Sequence, residues 1–79
     1  MPRFFFSIKR DGTVIPDHEG DDLPDVDAAL ALAAEIVGDM LRLPHVYGAA
    51  REWQRNEFII TDERGATLLA VSLAQLISR

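Results

Sequence analysis

Two Asp/Gly turns lie on either side of one long apolar helical stretch, and this arrangement constrains the fold more than any other feature. Asp11-Gly12 and Asp62-Glu63-Arg64-Gly65 each lie between two segments rich in β-branched and aromatic residues. Because Asp and Gly accept the positive φ angles of tight turns, each segment pair predicts a β-hairpin. The predicted order is hairpin, helix, hairpin.

The length and composition predict a single domain over residues 1–79 that associates with a second copy. A chain this short buries only about 60% of the surface that its unfolded form exposes. It has no cysteine for disulfides or for a cysteine-ligated metal, yet 48% of its residues are hydrophobic. Such an excess favours burial against another molecule, so we expect a homodimer.

The charge balance argues against nucleic acid and membranes as partners. There are 13 acidic and 8 basic residues, with a formal net charge of −5, which opposes attraction to phosphate backbones and anionic lipids. No apolar segment approaches the roughly 20 residues of a membrane span, and the run Phe4–Phe6 is too short for a signal-peptide core. We therefore expect a cytoplasmic protein.

Alternation of apolar and polar residues predicts the first hairpin. The first strand runs from Arg3 to Lys9, and one of its faces carries three apolar side chains: Phe4, Phe6 and Ile8. Thr13 to Ile15 is the return strand. Pro16 cannot donate a ladder hydrogen bond, so it ends this strand at a sheet edge.

A surface loop over Asp17 to Pro24 leads to the main helix. Asp25 is the predicted N-cap, and the helix runs from Val26 to Leu43, before Pro44. Its apolar stripe is predicted to contain Val26, Leu30, Ala33, Val37, Met40 and Leu41, extended by Ala29, Leu32, Ile36 and Leu43. Gly38 marks either a close helix contact or a weak point in the helix.

The second hairpin completes an α+β fold. After a loop over Pro44 to Ala50, a strand from Glu52 to Thr61 is predicted to place Phe58 and Ile60 on one face and Trp53 and Ile59 on the other. Ala66 to Val71 is the fourth strand, and Ser72 caps a last helix from Leu73 to Ile77. The prediction is ββαββ(α), a four-stranded, mainly antiparallel sheet with one long helix packed on one face.

The chain resembles a family of short bacterial proteins of unknown function that are frequent in rhizobia and related alphaproteobacteria. The resemblance is carried by Pro2-Arg3-Phe4-Phe5-Phe6, Asp11-Gly12, Ile15, Asp17, Glu19-Gly20, Leu23, Asp25, Ala28-Ala29, Thr61-Asp62-Glu63-Arg64-Gly65 and Leu68-Leu69. These positions are turns, helix caps and core residues. The resemblance therefore implies a shared fold, and no catalytic residue is carried over from the family.

Catalytic and metal-binding patterns are missing from the sequence. The acidic loop Asp17–Asp22 lacks the ligand spacing of an EF-hand, and His18 and His45 alone cannot form a zinc site. No Gly-x-Ser-x-Gly nucleophile elbow is present. We predict no catalytic residue, no metal site and no cofactor. A minimal metal-dependent enzyme is the third-ranked function.

The leading prediction is a non-enzymatic protein-interaction or regulatory module. Phe4, Phe6, Phe58 and Ile60 are expected to face the helix, which leaves the other sheet face open. Its exposed apolar candidates for an interface are Phe5, Trp53, Ile59 and Leu68. We expect this face to bind a second copy or an unidentified protein.

The alternative is a sheet face that binds single-stranded nucleic acid. Aromatic rings beside arginines can stack unpaired bases. The candidate residues for this function are Trp53, Arg55 and Arg3. The net charge and the missing RNA-recognition signature place this alternative second.

Overall fold

The computed structural model describes residues 1–77 and shows an α+β fold. The strands are β1 (Arg3–Arg10), β2 (Thr13–Ile15), β3 (Asp21–Asp22), β4 (Glu57–Thr61) and β5 (Thr67–Ser72). The helices are α1 (Val26–Arg42), α2 (Pro44–Tyr47), α3 (Ala50–Trp53) and α4 (Leu73–Ile77). The predicted α+β class with one long helix is confirmed.

The sheet is antiparallel at every described pairing, in the order β2-β1-β4-β5. The two hairpins meet in its centre, where Ser7 of β1 lies opposite Ile59 of β4. The sequence did not predict β3, a two-residue strand that pairs Arg3 with Asp22 at the start of β1. One sheet edge is therefore formed by the short strands β2 and β3, and the other by β5.

The Asp11-Gly12 turn adopts the backbone that the sequence predicts. Asp11 has φ of 50° and Gly12 has φ of 81°, so both residues occupy the left-handed region that tight two-residue hairpins require. The turn aligns Arg10 with Thr13 and Lys9 with Val14. This local geometry sets the register of the first hairpin.

Helix α1 begins at the predicted cap. The Asp25 carboxylate accepts a hydrogen bond from the Ala28 N–H at 2.8 Å, which satisfies one of the unpaired donors of the first turn. The helix ends one residue earlier than predicted, and the N–H of Leu43 closes the last turn on Asp39 O at 3.1 Å. Pro44 then begins α2.

The hydrophobic core lies between one face of the sheet and the helices. Its buried members are Phe4, Phe6, Ala29, Ala33, Val37, Trp53, Phe58, Ile60, Leu73 and Leu76. The α1 residues in this layer are small, whereas the sheet residues opposite them are large. The phenylalanine rings of the sheet therefore pack against the alanines of α1 and fill the space between the two layers. Phe6 and Phe58 pack edge to face, with ring centroids 6.2 Å apart.

The predicted apolar stripe of α1 is wrong at its ends. Val26 and Leu41 are exposed, whereas Ala29, Ala33 and Val37 are buried. The buried line follows a spacing of four residues along the helix, because the helix presents its smallest side chains to the phenylalanine rings. The central residues Ala33 and Val37 of the predicted stripe, and Ala29 of its extension, are buried as expected.

The predicted strand from Glu52 is also wrong over its first half. Trp53 lies in helix α3, and its indole N–H donates to Gly48 O at 3.2 Å. The side chain is 5% exposed and belongs to the core. The alternation that predicted a strand begins only at Glu57, and helix formers with Glu52 in the first turn precede it. The expected loop over Pro44 to Ala50 likewise contains α2.

Helix α4 begins with a reciprocal cap, as the sequence predicts for Ser72. The Ser72 hydroxyl accepts from the Gln75 N–H at 3.1 Å, and the Gln75 side-chain oxygen accepts from the Ser72 N–H at 3.0 Å. Leu73 and Leu76 are buried in the core. Helix α4 therefore packs on the same sheet face as α1.

We expect the Asp25→Ala substitution to destabilise the domain by about 0.5–2 kcal/mol, because it removes the carboxylate that caps α1. Thermal unfolding measures the effect, which is several degrees for a domain of this size. Asp27→Ala is the matched control, since it removes a first-turn charge without removing the cap. Equal losses in the two variants would show that the helix dipole and not the cap is responsible.

We expect Gly38→Ala to stabilise the domain by about 1 kcal/mol, because glycine in a helix interior costs backbone entropy. A Cβ at Gly38 meets the Arg42 guanidinium at 3.6 Å, which is ordinary contact. Denaturant unfolding measures the gain. A loss of stability would mean that an added methyl group at Gly38 clashes within the domain, which would contradict the ordinary contact distance to Arg42.

Candidate interaction surface

Strand β5 forms a sheet edge without the usual protection against pairing. Its six residues, Thr67–Ser72, include no proline and no charged side chain. Edge strands of soluble proteins are commonly short, charged or interrupted, because an unprotected edge accepts another strand. Among residues 1–77, no strand pairs with the outer edge of β5.

The register of the β4–β5 ladder shows which backbone groups face outward. Ser72 lies opposite Glu57, and one step further along the N–H of Leu73 donates to Asn56 O at 2.9 Å. Hydrogen-bonded pairs alternate along an antiparallel ladder. The N–H and C=O of Ala70 therefore point away from β4, towards the edge. Ser72 also points outward, but its N–H is capped by Gln75.

An apolar groove runs beside this edge. It has a volume of about 350 Å³ and is lined by Leu30, Leu69, Ala70, Val71, Gln75 and Leu76. Helix α1 and helix α4 supply its walls, and the inner face of β5 supplies its floor. An added strand would thus find backbone hydrogen bonds at the edge and apolar contacts in the groove. The groove lining contains no charged residue.

The opposite sheet edge is closed by the side chain of Asp17. Between β2 and β3 no backbone partner reaches the N–H of Phe6, and the Asp17 carboxylate accepts from it at 3.0 Å. The same carboxylate accepts from the N–H groups of Glu19 at 3.1 Å and Gly20 at 3.2 Å. The Ser7 hydroxyl accepts from the Asp17 N–H at 3.3 Å. The loop is thereby fixed along β1.

The hydrogen bonds to Asp17 change its acidity. Partial burial favours the neutral acid, but the N–H donors of Phe6, Gly20 and Glu19, together with nearby His18, outweigh it and hold the pKa of Asp17 below its ordinary value. Gly20 lets the loop lie this close. It has φ of +72°, and a Cβ there would lie 2.8 Å from the carbonyl oxygen of Phe4.

Three of the four predicted interface residues lie on the outer sheet face. Ile59 and Phe5 are half-buried there, and the Phe5 ring lies against Gly20. Leu68 is 40% exposed and lies on β5, next to a register shift between Ile60 and Thr61. Trp53 is not on this face, as described above. Leu68 thus joins the outer face to the β5 edge.

The candidate nucleic-acid residues do not form one surface. Arg3 makes a two-pronged ion pair with Asp22, at 3.0 and 3.1 Å, and also donates to Glu19 O. Asp22 raises the pKa of Arg3 through this hydrogen bond and through its charge. Arg55 is exposed beyond α3, whereas Trp53 is buried. The predicted stacking residue is therefore unavailable to a base.

The acidic side chains at the edge formed by β2 and β3 accept hydrogen bonds from groups within the domain. Asp17 binds backbone N–H groups, and Asp22 binds Arg3. Within residues 1–77, no group of three His, Cys, Asp or Glu side chains is arranged to hold a metal ion. The same part of the chain contains no helix with the length and apolar character needed to cross a membrane.

Comparison with known proteins assigns the chain to a family. A family model described as a domain of unknown function, DUF6894, matches residues 3–74. The chain belongs to the DUF6894 family. A search of curated proteins found no match, and a search of solved structures found none either. The predicted membership in a family of unknown function is confirmed, whereas the family motifs and the rhizobial distribution stay predictions.

The sequence alone did not indicate β5 as an interaction edge. The DUF6894 match covers this strand completely. The signal available in the sequence was the lack of charge and proline over Thr67–Ser72, in contrast to Pro16 after β2 and the two aspartates of β3. That contrast becomes meaningful only when the strand order places β5 at an edge.

We expect Asp17→Asn to destabilise the domain by about 1–2 kcal/mol at neutral pH, because the amide nitrogen cannot accept from a backbone N–H. Since the folded pKa of Asp17 is lowered, its stabilising contribution is complete above the unfolded pKa and is lost as the pH falls through the folded value. Urea unfolding should therefore show a gap between wild type and variant that narrows below pH 3.8.

Glu19→Gln is the control for this experiment, since it removes the same charge two residues away without removing an acceptor of the Phe6 N–H. We expect it to leave stability within about 0.5 kcal/mol of wild type. A gap that stays constant over the acid range would contradict the assigned role of the Asp17 carboxylate.

Proposed function

We propose that this DUF6894 domain is a small non-enzymatic protein-interaction module of the cytoplasm, with a regulatory role, that forms a homodimer by pairing its β5 strands. The single observation that supports this proposal is the unprotected edge of β5, with the backbone groups of Ala70 directed outward. Strand addition at such an edge is a common mode of protein recognition.

The strand is suited to pairing with its own copy. In an antiparallel pair, opposite residues share a sheet face, so a two-fold axis at Ala70 places Ala70 opposite the same residue of the second copy. Leu69 then lies opposite Val71 of the second copy, on the inner face. The small alanine side chains meet at the axis on the outer face, where a larger residue would crowd its counterpart.

The inner face supplies apolar contact to this pairing. Leu69 and Val71 line the groove beside β5 together with Leu30 and Leu76. Because the two-fold axis places the grooves of both copies next to each other, their apolar walls form one continuous layer. Burial of this layer adds to the few backbone hydrogen bonds of the strand pair.

The charge distribution also favours the β5 edge over the edge formed by β2 and β3. Each copy carries a net charge of −5, so close approach is opposed wherever carboxylates face each other. The β5 strand and its groove have no charged residue. The edge formed by β2 and β3 instead exposes Asp21 and Asp22. Two acidic molecules therefore meet with the least repulsion at β5.

The structure does not support the residues that favoured binding of single-stranded nucleic acid. Trp53 is in the core, and Arg3 is occupied by Asp22. Arg55 alone supplies one cation without the aromatic surface on which a base would stack. We therefore rank the protein-interaction function well above it.

We expect the domain to sediment as a dimer at micromolar concentration and Ala70→Lys to sediment as a monomer. The substitution places two like charges opposite each other at the axis and gives the edge the charge that natural edge strands use against pairing. Val14→Lys is the matched control, because it adds the same charge to the outward side of β2, at the other edge. Sedimentation velocity distinguishes the species.

A second variant separates pairing from folding. Ala70→Pro removes the N–H that points outward, whereas Val71→Pro removes one that points towards β4. We expect Ala70→Pro to remain folded and monomeric, and Val71→Pro to unfold. A wild-type protein that remains monomeric across the concentration range, or an Ala70→Lys variant that remains dimeric, would refute the β5 dimer.

A further inference from the structure

The side chain of Gln75 lies where the backbone edge of β5 meets the apolar groove. Its oxygen accepts a hydrogen bond from the Ser72 N–H at 3.0 Å, and the Ser72 hydroxyl accepts from the Gln75 N–H at 3.1 Å. Gln75 also lines the groove, together with Leu30 and Leu76. The residue therefore belongs both to the cap of α4 and to the surface at which we propose that a second copy binds.

The N–H that Gln75 holds is one of the outward-facing groups of β5. The Leu73 N–H donates inward, to Asn56 O at 2.9 Å. Because successive residues of an antiparallel strand alternate in direction, the N–H and C=O of the preceding Ser72 point away from β4, as those of Ala70 do. The Ser72 N–H is thus a donor of the strand edge that already has an acceptor within its own chain.

Two-fold pairing of the β5 strands would use this same donor. With the axis at Ala70, the two copies of this residue exchange two hydrogen bonds, and Ser72 of one copy lies opposite Leu68 of the other. The Leu68 carbonyl points outward, because the N–H of the following Leu69 points inward in the β4–β5 ladder. The acceptor for the Ser72 N–H in the dimer is therefore the Leu68 carbonyl, and Gln75 competes with it.

We propose that Gln75 is a gate that limits strand pairing at the β5 edge, and this inference rests on the proposed β5 dimer. While the Gln75 oxygen holds the Ser72 N–H, the paired strands are joined only by the hydrogen bonds of Ala70. When the side chain turns away, Ser72 of each copy donates to Leu68 of the other. The two-fold axis doubles this gain, so one side chain controls two hydrogen bonds across the dimer.

The gate moves at low cost because the Ser72 N–H exchanges one acceptor for another. In the closed state the Leu68 carbonyl faces water, and in the open state the Gln75 amide does. Gln75 is exposed, so its amide is readily hydrated after release. The balance between the two states therefore depends on the Gln75 side chain itself.

Helix α4 is held in place by other contacts when the gate opens. Leu73 and Leu76 are buried in the core, and the Ala74 N–H donates to Gln54 O at 3.0 Å. The backbone N–H of Gln75 can still donate to the Ser72 hydroxyl. Opening thus needs a movement of one side chain and no movement of the helix.

The Gln75→Ala substitution tests the gate, because it removes the oxygen that holds the Ser72 N–H. We expect the dissociation constant of the dimer to fall about fivefold or more, since two freed donors add two hydrogen bonds across the axis. The substitution also removes side-chain atoms from the groove, so added hydrophobic surface cannot account for a tighter dimer. Sedimentation equilibrium over a series of concentrations measures the constant.

Ser72→Ala is the matched control, because it removes the other half of the reciprocal cap. The hydroxyl is lost, but the backbone N–H stays on the Gln75 oxygen and the gate stays closed. We expect a loss of thermal stability similar to that of Gln75→Ala, with an unchanged dissociation constant. A dimer that tightens equally in both variants would mean that a loosened α4 is responsible, and would overturn the proposal.

Amide hydrogen exchange detects the gate without requiring the dimer. In Ala70→Lys, which we expect to be monomeric, the Ser72 N–H should exchange slowly while Gln75 holds it. Adding Gln75→Ala to this variant should speed that exchange severalfold, whereas the Leu73 N–H, which donates to Asn56 O, should keep its protection. Equal exchange of the Ser72 N–H in the two proteins would refute the gate.

The measurements separate failure of the gate from failure of the dimer. A wild-type dimer whose dissociation constant is unchanged or raised by Gln75→Ala would overturn the gate and leave the β5 dimer standing. If wild type and Gln75→Ala both remain monomeric across the concentration range, the β5 dimer is refuted, and the gate that rests on it is refuted too.

Discussion

The packing of small helix residues against large sheet residues is the interaction on which the rest of this structure depends. Ala29 and Ala33 let α1 approach the sheet closely enough for Phe4, Phe6 and Phe58 to fill the space between the two layers. Helices α3 and α4 add Trp53, Leu73 and Leu76 to the same layer. The described helices pack on one face of the sheet or lie at one end of it. No described helix therefore covers the other sheet face or the outer edge of β5. A small domain with a one-sided core cannot enclose all of its apolar groups.

The two edges of the sheet differ in how well they are protected against pairing with another strand. An edge strand exposes backbone donors and acceptors that can pair with another molecule. On the β1 side, short strands, Pro16, exposed aspartates and the Asp17 carboxylate leave no continuous edge, and the N–H of Phe6 is satisfied by a side chain. On the β5 side, six uncharged residues lie beside an apolar groove. This difference is the physical basis for assigning the dimer contact to β5.

Charge is also distributed unevenly along the molecule. The carboxylates of the β3 segment, the α1 N-terminus and the β4–β5 turn lie at the Arg3 end, whereas Lys9 and Arg10 are at the opposite end of β1 and Arg51 and Arg55 lie on and just after α3. A net charge of −5 conceals this separation.

The sequence by itself determined the features that depend on neighbouring residues: the Asp11-Gly12 turn, the Asp25 and Ser72 caps, and the alternation of β1. In these cases a side chain or a permissive backbone acts within a few positions of itself. Tertiary structure alone decided that Trp53 is buried, that Asp17 replaces a strand partner for Phe6, and that β5 is an edge. Strand order, a hydrogen bond between residues 11 positions apart and packing against a distant helix are set by the whole chain, so local periodicity could not predict them.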